Sequence, residues 1–277
     1  MIFVTDKGRL CNNILQYGHV YAWAREQGLK TVSMRFAHMY PEFHLSHTHN
    51  HHPWVYLLVK LAAKRGWIPT VEFNDFTSEY TVEKKIMLHC RFVLAKGWCI
   101  RFFDLFEKYK DEIIAMFEFR KPVKKKVNTL LSAYSPDTIK LGVHIRRGDY
   151  ATWCGGHYFY NDEQYAASIE KFIQLMAGRN VDIFICGNDP KLNHDFYIKR
   201  FGADHVHFPN GSPAEDLCLF SQCDYLIGPP STFTLVATMY RDTPLHWITD
   251  PNASLTLDDF GKFNQMSRTF DGLYISN

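Results

Sequence analysis

The chain has 277 residues, 46% hydrophobic and 22% charged, the balance of a globular protein with a sizeable core. Its 31 lysines and arginines against 29 acids leave a net charge of +2, which excludes a global basic field for nucleic acid and confines any anion site to a local cluster. MIFVTDKGRL at the start lacks the apolar run of a signal peptide, and no stretch approaches the roughly 20 apolar residues of a membrane span, so a soluble cytoplasmic protein is expected.

In chain order, IFVT predicts a strand, DKGRLCN a turn, and NILQYGHVYAWAREQG a helix with Ile14, Tyr17, Tyr21 and Ala24 on one face, stopped by Gly28. Arg9, Asn12 and Gln16, at this first strand-to-helix turn, are expected to face a cleft between domains. The turn is no dinucleotide fingerprint, since GxGxxG is missing, and no GxxxxGKS/T phosphate loop occurs anywhere. From 40 to 120 the pattern reads as mostly helical. HLSHTHNHHPW holds His44, His47, His49, His51 and His52, yet it contains no acidic or cysteine residue and no i, i+4 histidine pair within a predicted helix, so a polar loop is preferred to a metal site. FRKPVKKKVN, 119 to 128, is a charge run with a proline and is taken as a linker, giving domains 1–125 and 126–277; a solvated helix end is the other reading.

Beyond the linker, apolar runs at 139–145, VDIFICG, DYLIG and PLHWIT are bounded by Gly, Pro or Asp and read as buried parallel strands. NDEQYAASIEKFIQLMAG, AEDLCLFSQC and STFTLVATMY lie between them as helices, and the alternation predicts a doubly wound α/β domain. The seven cysteines are odd in number and form no CxxC pair, which fits reduced thiols better than disulfides or a zinc ribbon.

Ligands of open α/β sheets bind outside the carboxyl ends of the strands. GVHIRRGDY, 142 to 150, puts Arg146, Arg147 and Asp149 at such an end, and arginine grips phosphate with a planar, permanently charged fork. Successive residues point to opposite faces, so one arginine can reach a ligand while the other braces the loop through Asp149, with Gly148 permitting a tight turn. A surface salt bridge is the plainer alternative, and an adhesive Arg-Gly-Asp would need an exposed loop tip. In GPPSTFTLVATMY, Ser231 caps a helix whose first-turn amides, with the Ser231 and Thr232 hydroxyls, form an anion site on the same sheet edge as Arg146. A general base is open between Asp6, Asp149 and His157.

GRLCNNILQYGHVYAWA resembles the GRLGNQMFQYAFAYALA opening of the α-1,2-fucosyltransferases, HIRRGDY resembles their HxRRGDY motif, and DLCLFSQCDYLIGPPSTFTLVATMY resembles their DLxLMSxCxxxIxxNSTFSWW stretch. The three motifs occur in order across nearly the whole chain. The resemblance implies a GT-B fold of two Rossmann-like domains facing a cleft, with the N-terminal half more helical and on the acceptor side. It implies GDP-fucose as donor, no cofactor or metal, and inverting transfer to a glycan hydroxyl. His144, Arg146, Asp149, Ser231, Thr232 and Phe233 would line the donor site, with Arg146 on the β-phosphate and Asn12 close to the bond being broken. Guanine contacts are expected from His144 and the segments around Asp189 and Asp216, and Arg147 is counted with the donor site. Consistent with a metal-free site, the sequence has no DxD.

Cys11, Asn13, Pro230 and Thr234-Leu235-Val236 depart from the family pattern, as does FICGNDP, which stands where the family has an FSDD-like segment. These departures bear on the α-1,2 linkage. Rival readings are a transferase using GDP-mannose or a UDP-sugar, and a silent nucleotide- or carbohydrate-binding relative. The expected setting is a bacterial cytoplasm, peripheral contact with the inner membrane included.

Overall fold

The computed structural model describes residues 1–5, 8–48 and 51–275, and the chain divides into two compact units, Met1–Arg120 and Lys121–Asn277. Asp6 and His49 lie outside the described residues.

In the N-terminal unit the elements are β1 (Ile2–Val4), α1 (Leu10–Glu26), β2 (Thr31–Ser33), α2 (Phe36–Met39), α3 (Pro53–Lys64), β3 (Thr70–Phe73), α4 (Thr81–His89), β4 (Val93–Gly97), α5 (Phe103–Lys108) and α6 (Lys110–Met116). The strands form one parallel sheet in the order β2-β1-β4-β3. Two of its four strands come from the 40–120 stretch that reads as mostly helical in sequence. β3 is a half-buried edge strand in which only Val71 and Phe73 turn inward, too short for alternation to stand out. Helix α1 is not one-faced as its pattern suggests. Residues Leu10 to Ala24 are buried almost all round, because α5 and α6 cover the side turned from the sheet. Gly18 permits that closeness: a Cβ there would sit 2.4 Å from the Phe106 ring of α5.

The C-terminal unit runs α7 (Lys121–Leu131), β5 (Ile139–Ile145), α8 (Asp162–Leu175), β6 (Val181–Gly187), α9 (His194–Phe201), β7 (Val206–His207), α10 (Pro213–Phe220), β8 (Tyr225–Gly228), α11 (Thr232–Met239), β9 (Leu245–Trp247) and α12 (Phe263–Ile275). Its sheet is parallel in the order β7-β6-β5-β8-β9. β5 sits at the centre, and its Ile139, Leu141, Val143 and Ile145 side chains are all at most 3% exposed in a core with Tyr165, Ile169, Phe172 and Ile185. Burial on both faces explains why β5 and β6 read as mostly apolar runs. Helix starts follow local rules: Asn161 and Gln164 close a capping box on α8, and Ser212 and Glu215 close one on α10. The division between the units falls within the 119–128 run, which is helical from Lys121. Val123 and Val127 are buried on α7, and Lys126 reaches Glu215 at 2.7 Å.

Among the described residues no helix is long and apolar enough to cross a membrane. All seven cysteines carry free thiols. Within the histidine run, His51 and His52 serve local structure. His51 accepts from the Ser33 amide (3.1 Å) and meets the Thr48 hydroxyl, while His52 caps α3, and no group of three or more metal-ligating side chains forms among the described residues.

Candidate active site

Residue Ile145 of β5 pairs with Gly187 of β6, and Val143 pairs with Ile227 of β8, so the three strands end together and their exit loops leave the same sheet edge. Residues 146–150, 188–189 and 229–233 therefore converge in one unit.

The two arginines divide their work. Arg147 is the brace: its side chain is 12% exposed, its guanidinium donates to Asp189 (3.1 Å), Asp162 and the Tyr160 carbonyl (2.9 Å), and it lies over the Tyr165 ring. Sequence alone suggests Asp149 as the bracing carboxylate; the structure instead uses Asp162, at the first turn of α8, and Asp189, in the loop after β6. Asp189 also accepts from the Lys191 amide at 2.9 Å, which closes its own turn. An adhesive role for Arg147-Gly148-Asp149 is incompatible with an arginine pinned in this way.

Arg146 points elsewhere. Its Nε and Nη2 donate to the two oxygens of Asp149 at 3.2 and 2.7 Å, and its guanidinium lies 4.9 Å over the Tyr150 ring. The backbone amide of Arg146 donates to the Tyr165 hydroxyl (3.2 Å). Carboxylate and ring hold the fork in one orientation with its side chain 18% exposed. Gly148 opens the short 3-10 turn Gly148–Ala151 without a positive φ; space is what it supplies, since a Cβ would lie 3.0 Å from the Asn188 amide nitrogen.

Tyr150 joins this loop to the start of α11, a role that the sequence pattern does not signal. Its buried hydroxyl donates to the Pro230 carbonyl, and burial raises its pKa, so it stays a neutral donor. Ser231, 1% exposed, accepts the Phe233 amide at 3.2 Å, and so caps α11 as its sequence position predicts. Thr232 and Phe233 are half-buried at the first turn. The first amides of a helix have no intrahelical acceptor and carry the positive end of its dipole, which makes this turn a place for an anion.

His144 lies beneath. Its ring stacks on Phe233 (5.0 Å between centroids) and meets Phe220 edge-on at 6.2 Å. Burial, and then the Arg146 charge, lower its pKa to about 3 against an opposing pull from Asp149, so the imidazole is neutral. Its Nδ1 is buried with no hydrogen-bond partner among the described residues. Cys186, the cross-strand neighbour of His144, has its thiol against Asp216 on α10. Burial raises the Asp216 pKa to about 6, and its Oδ1 is likewise buried without a partner. Two unsatisfied polar atoms on adjacent elements carry a desolvation cost that an incoming polar ligand would relieve.

His157 is exposed in a turn, edge-on to the Tyr158 ring. Arg9, Asn12 and Gln16 belong to the N-terminal unit. Arg9 is exposed at the N-cap of α1, Asn12 is half-buried, and Gln16, expected at an open face, is 1% exposed with its Oε1 unpartnered among the described residues.

Residues 1–243 match the family model described as glycosyl transferase family 11. The chain is 24% identical over 289 residues to the galactoside 2-alpha-L-fucosyltransferase Sec1 of Mus musculus, covering 92% of this chain and 72% of that one. Among solved structures it resembles a variant of Arabidopsis thaliana FUT1 in complex with GDP, with a TM-score of 0.63 and 13% identity over 94% of this chain and 73% of that one. It also resembles the fucosyltransferase NodZ from Bradyrhizobium, with a TM-score of 0.59 and 12% identity over 91% and 96%. POFUT1 in complex with GDP gives 0.56 and 13% over 87% and 94%. These likenesses show the fold, a GT-B-like pair of Rossmann-type α/β units. The chain thus belongs to glycosyl transferase family 11, a fucosyltransferase family, and is a glycosyltransferase.

Proposed function

We propose that the protein transfers fucose from GDP-fucose to a glycan hydroxyl with inversion at the anomeric carbon, forming an α-1,2 linkage, and that it does so without a metal ion. The observation that carries the reading is the pairing of an oriented guanidinium, Arg146, with the capped N-terminus of α11, tied together through Tyr150 and Pro230. Arginine forks and helix amides are the two protein devices that hold a diphosphate in place of a cation. The Mus musculus relative is named for the 2-linkage on a galactoside, and two of the similar structures hold GDP, which supports the donor class and the linkage.

On this reading the C-terminal unit takes the nucleotide and the N-terminal unit the acceptor. As the acceptor oxygen attacks, the bond from the anomeric carbon to the β-phosphate oxygen breaks and negative charge grows on the diphosphate. Arg146 and the amides and hydroxyls at Ser231 and Thr232 stabilise that charge, and preorganised donors of this kind do more to lower a barrier than any other device open to such a site. His144, neutral, and Asp216, its carboxyl pKa raised by burial, serve the base: their unpartnered atoms suit the donor and acceptor edge of guanine, and Asp189 acts indirectly by holding Arg147. By its match to the family opening, Asn12 is assigned to the reacting bond.

The test is calorimetric titration with GDP, UDP and GDP-fucose in the presence of a chelator, followed by linkage analysis of the product formed on a galactoside. GDP binding at least about tenfold tighter than UDP, worth about 1.4 kcal/mol, is expected. Equal affinity for UDP would overturn the donor, and transfer that needs added divalent metal would overturn the metal-free site.

A further inference from the structure

Helix α3 carries two apolar faces. The inner one, with Val55, Tyr56, Val59 and Ala63, packs on Phe3, Val32, Met34 and Leu94 of the N-terminal unit's core. The outer one is in water: Trp54 is 66% exposed, Leu57 53%, Leu58 66% and Leu61 43%, and Trp67, just past the helix, 68%. Positions 54, 57, 58 and 61 follow the i, i+3, i+4, i+7 spacing of a single helical stripe. Large apolar side chains scattered singly over a surface need no explanation, but a contiguous stripe of this kind marks a contact.

Charge identifies the occupant. Lys60, Lys64 and Arg65 are exposed around the stripe, and no aspartate or glutamate occurs between Glu42 and Glu72. Lys60 lies over the Tyr56 ring at 5.7 Å and Arg65 over the Trp67 ring at 5.0 Å, so the cations sit beside the aromatics. A second copy of this face would set three cations against three with no acid in the segment to oppose them. An anionic lipid surface accepts both the apolar stripe and its cations. Tryptophans at both ends match the amphipathic side chains favoured at the boundary between headgroups and acyl chains.

We propose that α3, with the turn to Trp67, docks the protein peripherally on membranes rich in anionic lipid. The helix lies in the interface plane, with Leu57, Leu58 and Leu61 entering the acyl boundary and Lys60, Lys64 and Arg65 at the headgroups. This surface is independent of the glycosyl-transfer reading and stands or falls separately.

The experiment is co-sedimentation of the full chain with phosphatidylcholine vesicles, alone or containing about one part in three phosphatidylglycerol. Binding is expected to be at least about tenfold stronger on the anionic vesicles and to weaken at about 0.5 M salt, where surface charges are screened. Leu58→Glu, and separately the triple exchange Lys60→Gln, Lys64→Gln, Arg65→Gln, should each cut binding about tenfold or more. Circular dichroism and melting should be unchanged, because every exchanged side chain is exposed. Full binding by either variant, or no preference for anionic lipid, overturns the proposal. So does sedimentation velocity in which the protein alone is a dimer that Leu58→Glu dissociates, since the face would then close on a second copy, and so does vesicle-independent capture of the stripe by a protein.

Discussion

Replacing Arg146 tests the centre of the proposed mechanism. The guanidinium is held by two contacts to Asp149, at 3.2 and 2.7 Å, and by the Tyr150 ring beneath it. A fork fixed before the substrate arrives has little reorganisation left to undergo, and this makes such donors effective on developing charge. Removing one preorganised donor of that kind costs about 3 to 4 kcal/mol of transition-state stabilisation, a factor of about 10²–10³ in kcat/KM. Asp149 is 47% exposed, so the ion pair itself contributes at most about 1 kcal/mol to folding. Arg146→Ala should therefore lower kcat/KM for GDP-fucose by about 10²–10³, while its melting temperature moves by no more than about 4 °C. Arg146→Lys keeps a charge but loses the planar fork and the stack, and should recover at most about tenfold of the loss. Transfer kinetics on a galactoside, with calorimetric GDP binding on the same preparations, separate chemistry from binding. An alanine variant within tenfold of the parent, or a loss of activity matched by loss of fold, would refute the assignment of Arg146 to the departing diphosphate.

The neighbouring arginine should behave in the opposite way. Arg147→Met removes the shared partner of Asp162 and Asp189 in a site where the arginine is 12% exposed, at a cost of about 3 kcal/mol in stability. Calorimetry should show a drop of about 6 to 12 °C in melting temperature with GDP affinity per folded molecule nearly unchanged; loss of GDP binding at an unchanged melting temperature would make Arg147 a ligand contact. His144 has a folded pKa near 3, below its unfolded value of 6.5, so the stability it contributes is present above 6.5 and is lost as pH falls toward 3. His144→Gln should flatten the fall of unfolding free energy over that window by up to about 1.4 kcal/mol per pH unit, measured by denaturant titration, and identical slopes would refute the neutral buried imidazole.

Legibility in the sequence followed burial and range. β5, β6 and β8 were readable because strands buried largely on both faces leave mostly apolar runs, and the edge strand β9 because Leu245 and Trp247 are buried on either side of His246; the helices after β5 and β8 announce themselves through polar caps such as Asn161 and Ser231. β3, half-buried over four residues, left too little signal against its helical surroundings. The cap at Ser231 and the strand exit at Arg146 were local and so could be read. Which carboxylate each arginine takes was not, because Asp162 lies 15 residues beyond Arg147 and Asp189 lies 42 beyond it. Tyr150 was equally opaque, since its partner, the Pro230 carbonyl, is 80 residues away and carries no side-chain signature.

That last contact also accounts for a departure from the family pattern. Pro230 stands where the fucosyltransferase motif has asparagine, directly before Ser231. The backbone carbonyl is what this position supplies to Tyr150, and proline supplies it as well as asparagine would. Pro229 and Pro230 are both buried, and their fixed φ stiffens the passage from β8 into α11. An asparagine here would bring an amide and a backbone N–H into a buried site, at about 1 to 3 kcal/mol if they find no partners, and would restore unfolded-chain freedom worth about 0.4 to 1 kcal/mol. Pro230→Asn is therefore expected to lower the melting temperature while leaving GDP affinity within about threefold, a difference of about 0.7 kcal/mol. Thermal unfolding and GDP calorimetry on the variant decide it. GDP binding more than about tenfold tighter in Pro230→Asn would mean that the asparagine side chain is a donor contact this chain has given up, and the backbone account of the position would fail.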